Sequence, residues 1–90
     1  MVQVMVRHAV TDYATWRPIF DADDARRRAA GSTGVHQVYR DADNPNTVTI
    51  ILEWDTTERA HKFMSDPALG EAMQRAGAEQ PTVQTVVSRT

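Results

Sequence analysis

Residues 2–10 alternate: Val2, Val4, Val6, His8 and Val10 share one side, and Gln3, Met5, Arg7 and Ala9 the other. A period of two sustained over this length predicts a half-buried strand. Asp12 can cap the turn that follows. Tyr13, Trp16, Ile19, Phe20, Asp23, Arg27 and Ala30 then fall on one stripe at helical spacing. Proline is tolerated in a first helical turn, so Pro18 predicts a start near Trp16. Gly31, a good residue just past a helix end, predicts the stop. Val35 to Arg40 predicts a second strand. The run Asp41-Ala42-Asp43-Asn44-Pro45-Asn46 is a dense turn signal, and Thr47 to Trp54 a third strand with Val48, Ile50, Leu52 and Trp54 on one face. Strands two and three therefore form a hairpin. Thr56 or Thr57 caps a second helix carrying Ala60, Phe63 and Met64. Asp66-Pro67 breaks and restarts it, with Asp66 as N-cap and Pro67 in the first helical position. Leu69, Ala72, Met73 and Ala76 continue its apolar face to Gly77, and Pro81 opens a last strand through about Ser88.

The order β-α-β-β-α-β is the split βαβ pattern of an α+β, ferredoxin-like fold. It predicts a four-stranded antiparallel sheet with two helices on one face, in a single domain spanning 1–90. The other face carries Gln3, Met5 and Arg7 on strand one and Thr49, Ile51 and Glu53 on strand three. Met5 and Ile51 at its centre favour a covered face. Two such sheets facing each other across a two-fold axis would close a barrel.

Size strengthens that expectation. A chain of 90 residues buries only about two-thirds of its unfolded surface and is marginal alone. With no cysteine there is no disulfide to staple it and no thiolate chemistry. The simplest remaining route to burial is a partner subunit, here a homodimer. No apolar run reaches the length of a transmembrane helix, and the first residues lack the pattern of a signal peptide, so no membrane association and a cytoplasmic location are expected. A net charge of −2 argues against nucleic acid as partner. RNA-recognition domains of this strand order need aromatics on the open face, where this chain has Gln3, Met5, Arg7, Thr49 and Ile51.

The candidate chemistry is sparse. His8, on the apolar face of strand one, can serve as a general base in a pocket between sheet and helices. The plain alternative is a buried histidine satisfied by a neighbour. Asp23 and Arg27, four apart on an apolar stripe, must be paired if they face the core, and pairing with each other is expected. They can line a pocket, Asp23 as base and Arg27 as anchor for an enolate or phenolate, or lean out to the domain edge. Tyr13, Trp16 and Trp54 combine ring area with a polar atom that needs a partner, which suits pocket walls. Phe20 and Phe63 read more simply as core, although Phe63 is also a candidate for the wall. His36 and His61 form no metal-ligand pair, so no metal is expected. Arg26-Arg27-Arg28 follows Asp21, Asp23 and Asp24 by one turn and predicts intrahelical ion pairs on a solvated face.

Taken together these residues resemble the dimeric α/β-barrel superfamily, in its antibiotic-biosynthesis-monooxygenase-like and small cyclase branches. The resemblance covers nearly the whole chain. It rests on the Val4–Val10 strand with Asp12-Tyr13 and Trp16, on Phe20-Asp21, Arg27 and Gly31, on the Asp43–Asn46 turn, and on Glu53-Trp54, Phe63, Ala72-Met73 and Ala76-Gly77. It implies a cofactor-independent monooxygenase or cyclase acting on a small aromatic or polyketide-like molecule. In that reading His8 moves the proton and Tyr13, Trp16, Trp54 and Phe63 wall the site. The lack of any nucleotide, metal or flavin motif fits a protein needing no cofactor. Sequences resembling this one often carry a histidine where this chain has Asp23; if that histidine is a base, Asp23 replaces it or the role is absent. The rivals are a non-catalytic small-ligand-binding domain and a purely dimerising one whose interior is filled by its own side chains.

Overall fold

The computed structural model describes residues 2–78 and 83–88. Its elements run β1 (Val2–Ala9), α1 (Tyr13–Ala22), α2 (Asp24–Ala30), β2 (Ser32–Arg40), β3 (Thr47–Trp54), α3 (Thr57–Ser65), α4 (Pro67–Arg75) and β4 (Val83–Ser88). The sheet order is β2-β3-β1-β4, antiparallel throughout. This is the expected ferredoxin-like α+β topology, with each of the two helical crossovers divided into two segments. Pro81, expected to open the last strand, lies outside the described residues. Among them no helix is long and apolar enough to cross a membrane.

The alternation read from the sequence sets the faces. Val2, Val4, Val6 and His8 are buried towards the helices, as are Val48, Ile50, Leu52 and Trp54 of β3. Trp16 and Phe20 of α1, Ala60 and Phe63 of α3, and Leu69 of α4 close this core from the other side. On the opposite face Met5 stands between Ile51 and Thr85, and Ile51 between Met5 and Gln37. Arg7 reaches across that face to Asp41 with two hydrogen bonds, 2.8 and 2.7 Å, and donates to Thr49.

The first crossover departs from expectation twice. The helix begins at Tyr13, with the Asp12 carboxylate accepting from the Thr15 backbone N–H at 3.1 Å, so Pro18 lies inside it. A proline there leaves the carbonyl four residues back without its helical donor. Ala14 and Pro18 are both exposed, so that carbonyl can turn to water. The helix also does not run on to Ala30. It breaks at Asp23, whose N–H returns to the Phe20 carbonyl at 3.2 Å, and α2 restarts at Asp24. The second crossover breaks where expected: Asp66 caps α4 by accepting from the Ala68 N–H at 2.9 Å, and Pro67 occupies its first turn.

β2 starts at Ser32, three residues before Val35, through an irregular stretch. Ser32 lies opposite Trp54 and His36 opposite Leu52, so the register shifts between them. Gly34 takes a φ of 90° there. Hydroxyls serve backbone groups the ladder leaves out: Ser32 Oγ accepts from the Gly34 N–H and Thr33 Oγ1 from the Val35 N–H.

Gly31, at the end of α2, has a φ of 123°. A Cβ added there would lie 2.8 Å from Asp55 Oδ1 and 3.0 Å from both Arg59 Nε and Trp54 Nε1. Strained backbone and clash act together, so Gly31→Ala is expected to cost about 1–3 kcal/mol. A urea titration giving wild-type stability would refute this.

Candidate functional site

A cavity of about 240 Å³ lies between the helix-facing side of the sheet and the helices. Val6 and His8 of β1 and Ile50 of β3 form its floor; Trp16 and Phe20 of α1 and Met73 of α4 stand among its walls. Its surface is mostly hydrocarbon, interrupted by His8, Asp23, Arg26, Arg27 and Arg75.

His8 is positioned by the alternation of β1 and pairs in register with Val48. It is 4% exposed. Its ring meets Trp16 edge-on, with centroids 6.2 Å apart, and Trp16 stacks on Phe20 at 5.0 Å. Burial penalises the imidazolium and holds the His8 pKa below the ordinary value of 6.5. At neutral pH the ring is therefore neutral and able to accept a proton.

Asp23 and Arg27 do not pair as expected. The Asp23 carboxylate takes two 3.0 Å hydrogen bonds from Arg26 Nε and a shorter one from Arg26 Nη2. These bonds hold the Asp23 pKa below the usual carboxylate range, against the opposing effect of burial, so Asp23 is a weak base. Arg27 turns inwards and is 4% exposed, although the run Arg26-Arg27-Arg28 was expected on a solvated face. Its Nη1 donates to the Phe20 carbonyl at 2.9 Å, and its guanidinium lies 4.0 Å from the centre of the Phe20 ring. The helix break gives it a place: Arg27 is a second donor to the Phe20 carbonyl, which also accepts from the Asp23 N–H, and a cation suits the negative end of α1. Arg27 Nη2 forms a long ion pair with Asp24 Oδ1 at 3.9 Å, beyond hydrogen-bond reach, and is buried without a hydrogen-bond acceptor from the protein. Desolvation lowers the Arg27 pKa, with Asp23 and Asp24 opposing. Arg28 pairs outside with Asp24, and Arg17 with Asp21, as intrahelical pairs.

Of the residues singled out from sequence, His8, Trp16, Asp23, Arg27 and Phe63 line one cavity. Tyr13 and Trp54 do not. Tyr13 is half-buried under Arg40, whose guanidinium stacks 4.1 Å from the ring centre, and its hydroxyl accepts from Arg17 Nη1. Trp54 pairs in register with Val2, at the other end of β1 from His8. It is fully buried against Phe63, centroids 4.6 Å apart, and its Nε1–H has no acceptor. Arg26 and Arg75 line the cavity without having been named as site residues. Arg26 was read only as one of a charge run, and Arg75 had no neighbouring motif to mark it. Among the described residues no three side chains cluster as metal ligands.

No family model matches the chain, and no curated protein is significantly similar to it in sequence. Solved structures do share the fold. A Bordetella bronchiseptica protein named "Putative antibiotic biosynthesis monooxygenase" superposes with a TM-score of 0.78 at 15% identity, over 99% of this chain and 96% of that one. SnoaB, a cofactor-independent oxygenase from Streptomyces nogalater in a point-mutant form, gives 0.72 at 18% identity over 98% and 91%. Rv0793 from Mycobacterium tuberculosis gives 0.69 at 18% over 99% and 94%. At these identities the likeness is one of fold.

Proposed function

From a fold shared with antibiotic-biosynthesis-monooxygenase structures, we propose that this chain is a cofactor-independent monooxygenase or cyclase acting on a small aromatic or polyketide-like molecule. The observation that carries the proposal is His8, a buried imidazole held neutral, in the wall of an apolar cavity of about 240 Å³. A domain that filled its interior with its own side chains would leave no such space. SnoaB, of the same fold, is an oxygenase that works without a cofactor.

In the proposed mechanism the substrate enters the cavity with its ring among Trp16, Phe20 and Phe63. His8 removes a proton from a phenolic hydroxyl or an activated C–H. The resulting electron-rich anion forms a C–O bond with O2, and proton return from the imidazolium gives a hydroperoxide. Its O–O bond breaks with loss of water as the same carbon gives up its hydrogen, leaving one oxygen as a carbonyl and the other as water. In the cyclase alternative the anion attacks a carbonyl of its own chain to close a ring, and the imidazolium protonates the alkoxide formed. Asp23 orients Arg26 at the cavity edge. The test is oxygen uptake and product mass over a panel of phenols, anthrones and linear polyketide mimics. Binding without oxygen uptake or a change in mass would favour the rival reading, a ligand-binding domain.

The proposal includes a homodimer formed through the open sheet face. Met5 is 38% exposed at its centre, beside half-buried Ile51. Ile51→Asp places a charge where the second sheet would exclude water, and is expected to dissociate the dimer. Sedimentation of the wild type as a monomer at micromolar concentration would overturn the assembly.

A further inference from the structure

We propose that the cavity selects an anionic ligand, an aromatic carboxylate or phenolate, and that Arg27 is the residue that recognises the charge. This deepens the reading above and rests on the same cavity. Three arginines, Arg26, Arg27 and Arg75, and one carboxylate, Asp23, line a mostly apolar space. With His8 neutral the lining carries a formal charge of +2, from three cations less one anion. Arg26 is engaged with Asp23. Arg27 has one nitrogen committed to the Phe20 carbonyl and another, Nη2, buried with no hydrogen-bond acceptor.

A buried guanidinium donor that meets no protein acceptor is costly unless something in the cavity accepts from it, and the nearest carboxylate stands at 3.9 Å. A ligand oxygen can supply the acceptor that no protein group provides. A small turn of the guanidinium towards the cavity would present Nη2 to it while Nη1 keeps its hold on α1. Carboxylate and phenolate oxygens match a guanidinium in charge and geometry, and the apolar walls take the rest of the molecule. Phe20, in contact with both Trp16 and the Arg27 guanidinium, brings the aromatic wall and the cation together.

The probes are naphthoate and naphthamide, matched in shape and differing in charge, titrated calorimetrically into the whole protein at neutral pH. Naphthoate is expected to bind about tenfold or more tighter, the scale of a hydrogen bond to a charged group. Arg27→Gln is expected to abolish that preference while still binding the amide. Equal affinity of the wild type for the two probes, or a preference that survives Arg27→Gln, overturns the inference and leaves the pocket reading standing. Binding of neither probe by the wild type overturns both. If Arg27→Gln does not fold, side-chain nitrogen NMR of the wild type decides. Naphthoate, but not naphthamide, is expected to shift the Arg27 signals and leave those of exposed Arg28 in place; Arg27 signals unmoved at saturation refute the assignment.

Discussion

His8→Ala is expected to lower turnover by about a hundredfold to ten-thousandfold, the usual contribution of a positioned general base. The imidazole already borders open space, so its removal enlarges a cavity without cutting the core. Circular dichroism should therefore report a folded protein. The pH dependence carries the sharper signature. The neutral ring is the active form, and burial has moved its pKa below 6.5. Wild-type activity should be level through neutral pH and decline in acid, through a pKa lower than that of free histidine. Stability should bend in the same region. As pH falls below 6.5 the unfolded chain takes up the proton before the folded one, so the folded state loses stability until its own His8 titrates. His8→Ala should remove both features. Full activity in His8→Ala, or an unchanged acid limb, would mean that another group is the base or that there is none.

Trp54→Ala is expected to cost about 3–5 kcal/mol, the range for deleting a large buried aromatic. A domain of this kind has about 5–15 kcal/mol in total, so the variant is expected to lose a large part of its stability. Trp54 is 0% exposed, packs on Phe63 and sits where the Gly31 turn leaves no spare room. Trp54→Phe should cost well under half as much. It keeps most of the apolar surface and removes an N–H that has no acceptor. Chemical denaturation of the two variants decides the matter; equal losses would show that the indole nitrogen is bonded in solution.

The sheet was legible because each β-strand declares its faces by alternation. Val48, Ile50, Leu52 and Trp54 could be assigned to the core without knowing what covered them. The break before α4 was legible too, since Asp66-Pro67 is a local stop and start. The break at Asp23 was not. Helical spacing continues across it from Phe20 to Arg27, and one of the bonds made at the break runs from a side chain to a carbonyl seven residues back. The i,i+4 spacing pointed Asp23 to Arg27, whereas the structure pairs it with Arg26, three residues on. The sequence could name the aromatics of the core-facing layer but not where space is left among them. Register decided that: Trp54 opposite Val2 seals one end, and His8 opposite Val48 lies beside the cavity at the other. The early start of β2 was hidden because Ser32-Thr33-Gly34 reads as a turn, and its hydroxyls do satisfy backbone groups as a turn would.

That irregular start bears on how the chain behaves in a crowded solution. β2 is an outer strand of nine residues, long enough to recruit a strand from another molecule and begin an aggregate. The register shift between Ser32 and His36 interrupts the run of evenly spaced donors and acceptors that such recruitment needs, and hydroxyls occupy two of the donors. A neighbouring chain finds a regular edge on β2 only from His36 to Arg40. The same few residues that disguise the strand in the sequence discourage uncontrolled growth from that edge.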